Sequence, residues 1–308
     1  MYRLYPPGGR ALEDSVSIAP TGGPRRKITV SSLLEKKQHH EPITALTAYD
    51  YATARLVDEV GIDLILVGDS LAMTVLGYDT TLPVTVDEML HHTRAVRRAV
   101  KHALLVADMP YASYHVSTRE GIANATRFLK EGGAEAVKIE GGAKRSDLIC
   151  RMIDAEVPVI GHIGLTPQSV NIMGGYKVQG KSLTAVDRLL RDATALEQAG
   201  VFALLLEGIP REVAALITAE VRIPTIGIGA GPDCDGQILV FHDLLGLSPG
   251  PPAKFVRQYG DARALITDAL LAYKADVESH QFPLDSESYH MPKEAQSSLE
   301  TVLARKRN

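Results

Sequence analysis

Leu64-Ile65-Leu66-Val67-Gly68-Asp69 is an aliphatic run that ends in a carboxylate, and the pattern recurs along the chain. Leu104-Leu105-Val106-Ala107-Asp108, Ala136-Val137-Lys138-Ile139-Glu140 and Leu204-Leu205-Leu206-Glu207 repeat it. Near-continuous aliphatic runs of this length read as strands of a parallel sheet covered on both faces. Acids closing such strands fall on the face where barrel and doubly wound enzymes keep their chemistry. An unpaired carboxylate in apolar surroundings is costly, so several together imply a cation or raised pKa values.

Outward from these runs the pattern alternates. Strand-like segments begin near Ile43, Asp63, Ala103, Ala134, Val157, Phe202, Ile223 and Ile238. Helical patterns separate most of them. Asp50–Val60 starts at a capping Asp and stops before Gly61, and Thr85-Val86-Asp87-Glu88 is a capping box opening a helix to Val100. Ser117-Thr118-Arg119-Glu120 opens another that ends before Gly132, and Lys144–Ala155, Leu183–Ala199, Arg211–Glu220 and Ala262–Glu278 fit further helices. Eight β–α steps predict an α/β fold, a (β/α)8 TIM barrel, with a short N-terminal helix over Ser31–Lys37 closing its bottom. A doubly wound open sheet is the runner-up. It needs fewer strands and a Gly-rich dinucleotide turn, and Gly227-Ile228-Gly229-Ala230-Gly231 lacks the full spacing.

The chain has 308 residues, 45% hydrophobic and 23% charged, which is ordinary globular composition. A formal net charge of −4 offers no footprint for nucleic acid and no basic face for a membrane, and no apolar stretch is long enough to span a bilayer. Cys150 and Cys234 cannot build a disulfide framework, which makes a reducing cytoplasm the default. Residues 1–26 read as a flexible tail, 27–283 as the catalytic barrel, and 284–308 as a peripheral C-terminal tail with a short helix around Pro292–Arg305. Between Gly164 and Ser182, and again over Leu71–Pro83, the connections are long and irregular, the usual form of a functional lid.

Asp69 and Asp108 are the strongest candidate pair. With no Cys and no His pair nearby they form a hard-oxygen site, which favours Mg2+ over Zn2+. The plainer alternative is that each acid caps the turn that follows it. Lys138 and Glu140 lie two apart on one strand and face the same way, into the mouth, while Val137 and Ile139 face the helices. Lys138 is suited to a substrate carboxylate and Glu140 to a metal, directly or through water; otherwise the two form a buried ion pair. His162 ends the fifth strand beside the long loop, either touching substrate or serving as a hydrogen-bonded structural residue. Glu207 follows an apolar run, a setting that raises a carboxyl pKa toward that of a general base, unless it merely caps the turn at Gly208-Ile209-Pro210. Ser70 can donate to a bound carboxylate. Such a set suits one reaction class: a divalent cation chelates an α-keto acid, the neighbouring C–H proton leaves, and the enolate attacks an electrophile.

At these residues the chain resembles the ketopantoate hydroxymethyltransferase family. The matching stretches include Leu46-Thr47-Ala48-Tyr49-Asp50-Tyr51, Val67-Gly68-Asp69-Ser70, Ala107-Asp108-Met109-Pro110 and Val137-Lys138-Ile139-Glu140-Gly141-Gly142. The long loop matches too, through Gly161-His162-Ile163-Gly164-Leu165-Thr166-Pro167-Gln168 and Gly174-Gly175-Tyr176-Lys177-Val178-Gln179-Gly180. The similarity runs from about Lys27 to His290. It implies a barrel of the phosphoenolpyruvate/pyruvate type in a homo-oligomer, commonly a decamer. It also implies transfer of a one-carbon unit from the co-substrate methylenetetrahydrofolate to α-ketoisovalerate (3-methyl-2-oxobutanoate), through a Mg2+-stabilised enolate. The product is ketopantoate, in the first step of pantothenate and coenzyme A synthesis. The family's metal acids fall on Asp69 and Asp108, with Glu140 bound directly or through water. Its substrate contacts fall on Asp69, Ser70, Asp108 and Lys138, with His162 a pocket residue, and its base falls on Glu207. Two other readings stand beside this one. One is an isocitrate-lyase-like Mg2+ lyase, which would carry a reactive Cys in a mobile loop. The other is a silent barrel used as scaffold, which would have lost an acid or the Lys.

Overall fold

A computed structural model describes residues 25–306. Most of the expected N-terminal tail, residues 1–24, lies outside the described residues; Arg25 donates from its guanidinium to the Asp58 carbonyl oxygen at 2.7 Å.

The first element is α1 (Val30–Gln38), followed by β1 (Ile43–Thr47), α2 (Tyr51–Val60), β2 (Leu64–Val67), α3 (Leu71–Thr74), α4 (Val86–Arg97) and β3 (Leu104–Asp108). Then come α5 (Thr118–Lys130), β4 (Ala136–Glu140), α6 (Ser146–Asp154), β5 (Val159–Gly164), α7 (Val170–Met173) and α8 (Leu183–Gln198). β6 (Ala203–Glu207), α9 (Arg211–Glu220), β7 (Thr225–Ile228), β8 (Gly236–Leu239), α10 (Phe241–Leu244), α11 (Ala262–Glu278) and α12 (Lys293–Lys306) complete the order. The strands close into a parallel barrel in chain order, β8 returning to β1. Local signals set the helix ends. Asp50 accepts from the Thr53 N–H at the start of α2, Gly61 ends it in the left-handed region at φ 102°, and Thr85 and Glu88 close a reciprocal capping box on α4.

β2, β3 and β4 are buried along their whole length, and alternation divides the strand side chains between two cores. Leu64, Leu66, Leu104, Val106, Ala136, Ile160, Ala203 and Leu205 pack inside the barrel. Ile65, Val67, Leu105, Ala107, Val137 and Ile139 pack outward against the helices. Leu33 of α1 joins the inner core beside Ile43, so α1 covers the end from which the strands start. Lys36 and Lys37 fasten it there, at 2.9 Å from Asp63 and 2.8 Å from Asp235. This is the closing helix that the sequence predicts.

The long connection after β5 carries a 3-10 turn over Pro167–Ser169 and then α7, and the one after β2 carries α3. Helices of four residues are too short to leave a periodic signature, so both stretches read as loop. The described residues divide into two compact units, residues 25–244 with 248–257, and residues 245–247 with 258–306. α11, which pattern alone assigns to the barrel, belongs to the second unit. On it Leu265, Ile266, Leu270, Leu271, Tyr273 and Val277 are exposed. Among the described residues no helix is long and apolar enough to cross a membrane.

Candidate active site

The inner face of the barrel changes character at its C-terminal rim. Two residues beyond Val106, Ala136, Ile160 and Leu205, all inner-core residues, stand Asp108, Lys138, His162 and Glu207. Strand alternation therefore aims all four inward, and Glu140 follows Lys138 by the same step. Register sets the neighbours: Asp108 lies opposite Lys138, Glu140 opposite His162, and Gly164 opposite Glu207. Gly164 has φ 99°, and a Cβ there would collide with the Glu207 backbone carbonyl, so glycine lets the chain leave β5 close against β6. Asp69 is placed otherwise. The chain turns at Gly68, and the Asp69 N–H donates to Asp108 Oδ2 at 2.9 Å.

The predicted residues come together. Lys138 Nζ lies 3.0 Å from Asp108 Oδ1, 3.9 Å from Glu140 Oε1 and 3.1 Å from His162 Nδ1. An ammonium has no lone pair, so in neutral His162 it is Nδ1 that accepts and Nε2 that carries the proton. That proton faces Glu207 Oε2 at 3.3 Å. Asp69, Asp108, Lys138, Glu140 and His162 are buried, whereas the Glu207 side chain keeps 16% of its surface exposed. Ser70, at the start of α3, pairs its hydroxyl with Tyr49 Oη at 2.8 Å.

Three carboxylates, Asp69, Asp108 and Glu140, share one lysine, and the titration behaviour follows. Burial, then the charges of Asp108 and Glu140, pushes Asp69 well above the usual carboxylate range. Burial raises Asp108 as well, outweighing the lowering effect of Lys138. Glu140 is held below its usual value because His162 and Lys138 together overcome its burial. Burial works against the charge of Lys138, but Asp108, Glu140 and Asp69 raise its pKa nonetheless. His162 is raised too: burial and Lys138 oppose its charge, and Glu140 and Glu207 prevail.

The site fits a hard cation. Asp108 Oδ1 and Glu140 Oε1 are buried and receive no well-aligned hydrogen bond. Among the described residues no three His, Cys, Asp or Glu side chains stand at ligating spacing. Mg2+ does not need three: it is held by one or two carboxylates, with water and substrate oxygens filling the rest of its octahedron. Asp69 and Asp108 are the two carboxylates that could supply that pair, and Glu140 stands beside them.

Sequence reasoning missed three supports. Gln168, in the 3-10 turn after β5, donates from Nε2 to Asp69 Oδ2 and to the Met109 carbonyl, both at 2.9 Å. Its backbone N–H donates to Glu140 Oε2 at 2.9 Å, so the long loop grips two of the acids. Tyr114 donates to Gln168 Oε1 at 2.6 Å and fixes which end of the amide faces Asp69. Tyr49 holds Ser70. A polar residue directly after a Pro in an otherwise unexplained lid was the available signal for Gln168; nothing local marks Tyr114.

A closed (β/α)8 barrel with inward acids and a lysine at the strand C-termini defines an enzyme barrel, with its chemistry at the usual rim. The chain belongs to the ketopantoate hydroxymethyltransferase family, whose model matches residues 27–285. The 3-methyl-2-oxobutanoate hydroxymethyltransferase of Koribacter versatilis (strain Ellin345) is 71% identical over 291 residues, covering 94% of this chain and 98% of the relative. The enzyme of that name from Geobacter sulfurreducens is 55% identical over 264 residues, covering 86% and 99%. Among solved structures, phosphonopyruvate hydrolase complexed with oxalate and Mg2+ matches with a TM-score of 0.55 at 14% identity, covering 91% of this chain and 100% of that one. 2,3-Dimethylmalate lyase, a PEP mutase/isocitrate lyase superfamily member, matches at 0.53 and 14%, covering 89% and 98%. These distant likenesses bear on the fold alone, a (β/α)8 barrel.

Proposed function

We propose that this protein transfers a hydroxymethyl group from methylenetetrahydrofolate to α-ketoisovalerate, forming ketopantoate and tetrahydrofolate in the first step of pantothenate synthesis. The observation that carries the reading is the convergence of Asp69, Asp108, Lys138, Glu140, His162 and Glu207 on one rim, in a chain of this family. Lys138 and Ser70 bind the keto acid's carboxylate. Glu207 takes the proton from C3, and the His162 Nε2–H beside it orients the carboxylate. Water adds to the folate's methylene carbon and both of its C–N bonds break, the nitrogens taking the water's protons, so that tetrahydrofolate and formaldehyde form. The electron pair left on C3 then makes the new bond to the formaldehyde carbon, and its oxygen takes the proton held by Glu207 to become the hydroxyl. Asp69 and Asp108, with Glu140 alongside, would hold Mg2+, which would supply positive charge to the keto acid's oxygens. The lyase alternative loses its footing: Cys150 is on α6, and Cys234 follows β7 half-buried.

The working form is proposed to be a cytoplasmic homo-oligomer, a decamer as the family resemblance implies; the exposed apolar side chains of α11 support association. Residues 27–283 are proposed as the catalytic segment, with both tails outside the chemistry. The test is deuterium incorporation at C3 of α-ketoisovalerate in deuterated water. Exchange that needs Mg2+, together with ketopantoate formed only when methylenetetrahydrofolate is added, supports the reading. Exchange undiminished in EDTA, or no folate-dependent product, overturns it.

A further inference from the structure

We propose that a cavity at the outer edge of the mouth, between β4, β5 and α8, seats the glutamyl tail of the folate co-substrate, with Lys144 and Arg188 binding its carboxylates. The inference rests on the folate-dependent reading above and adds where that co-substrate is held. The cavity encloses about 330 Å³ and runs under the long β5–α8 loop. It adjoins the candidate site through the backbone: its wall residues Gly141 and Thr166 are one and two positions from Glu140 and Gln168.

The lining has two characters. Ile172, Met173 and Leu189 make an apolar wall, and the Ile172 side chain is 89% exposed. Lys144 and Arg188 supply positive charge, against Asp192 as the acid in the lining. That acid is already engaged, accepting from the Ala143 N–H at 2.8 Å and standing 3.9 Å from Arg188 Nε. A Cβ at Gly142 would overlap the Asp192 carboxylate, so the glycine is what lets α8 approach and form this floor. Arg145 adds a third cation nearby, its guanidinium over the Tyr114 ring and its buried Nε without a hydrogen-bond partner. Burial, then the charges of Arg145 and Arg188, lowers the pKa of Lys144, as befits cations gathered with too few acids.

A folate tail is a flat aminobenzoyl ring joined to a glutamate with two carboxylates. The acids of the mouth repel such a dianion, so the tail must leave the interior while the one-carbon unit stays in it. An apolar wall ending in two cations, next to the acids but outside them, answers both needs.

The experiment is steady-state kinetics of Lys144→Ala/Arg188→Ala in the full chain, with deuterium exchange into the keto acid measured in parallel. The Michaelis constant for methylenetetrahydrofolate should rise about tenfold, as for two partly exposed ion pairs. The keto-acid constant and the exchange rate should stay within about twofold of the parent. Lys144→Glu/Arg188→Glu should raise the folate constant further. An unchanged folate constant in both variants overturns the subsite, and so does a parallel fall in exchange, which marks a general structural effect. A parent protein that exchanges the keto acid but forms no folate-dependent product fails the functional reading itself, and the subsite with it.

Discussion

Lys138→Met removes the one lysine from among the buried acids while keeping the length and much of the volume of the side chain. In the native chain Nζ lies 3.0 Å from Asp108 and 3.9 Å from Glu140. At an effective dielectric constant of about 20, Coulomb's law gives about 5.5 and about 4.3 kcal/mol for these contacts. The variant no longer has to desolvate the ammonium, which returns much of that energy. The net cost should be about 3–5 kcal/mol, the range for leaving a buried charge without its partner. The remaining acids respond by holding protons, since burial already raises Asp69 and Asp108. A carboxyl whose folded pKa is raised contributes stability below its unfolded value of about 3.9, and that contribution is lost as pH rises through the folded value. The deficit of the variant should therefore shrink as pH falls from 7 toward 5. Mg2+ returns positive charge to the same acids, so it should stabilise the variant more than the parent. Urea unfolding at fixed protein concentration, in EDTA and in Mg2+, measures both effects. A variant as stable as its parent in EDTA at pH 7, or one whose deficit grows on acidification, refutes the electrostatic account.

Glu207→Gln should keep keto-acid and Mg2+ binding but slow deuterium exchange at C3 about 10²–10⁴-fold, the usual contribution of a positioned general base; undiminished exchange would show that another group takes the proton. Asp69→Ala should weaken Mg2+ and keto-acid binding together, whereas independent binding in calorimetric titrations would contradict a chelate. Gln168→Ala strips hydrogen bonds from Asp69, Met109 and Tyr114, and should cost about 2–3 kcal/mol of stability. It should also raise the Michaelis constant for the keto acid, and a variant with parental stability would mean that the loop does not hold the acids.

The barrel was legible because strands such as β2, β3 and β4 are covered on both faces. Runs such as Leu104–Ala107 have no polar face to disguise them, and an acid at the end of each stands out. Lys138 and Glu140 were placed by spacing alone, since a step of two along a strand returns to the same face. What could not be read was register and return. Asp108 meets Lys138 through the pairing of β3 with β4, and Gln168 reaches Asp69 across 99 positions of sequence. No periodicity encodes such a contact. α11 shows another limit. The spacing of Leu265, Leu270 and Leu271 reveals a helix with apolar residues, but burial partners are not written in a helical period, and Ala262–Glu278 falls in the second unit.

The surplus of negative charge also explains how the site is built. Side chains that attract one another can assemble a pocket by pairing, but Asp69, Asp108 and Glu140 raise one another's energy wherever Lys138 does not reach. Backbone must hold them. The inner layer of Leu64, Leu66, Val106 and Leu205 packs below the acids, and the strand ladders leave Asp108 and Glu140 no route away from the axis. Asp69, which stands beyond the last residue of β2, has no ladder of its own. It is the acid that needs Gln168 on its carboxylate and Asp108 on its backbone. Glu140 also accepts from the Gln168 backbone, but the β4–β5 ladder holds it as well, so Asp69 is the acid whose position rests most on the long loop. Loosening that loop should move Asp69 first, free the Glu140 carboxylate of one hydrogen bond while its strand stays, and leave Asp108 in place.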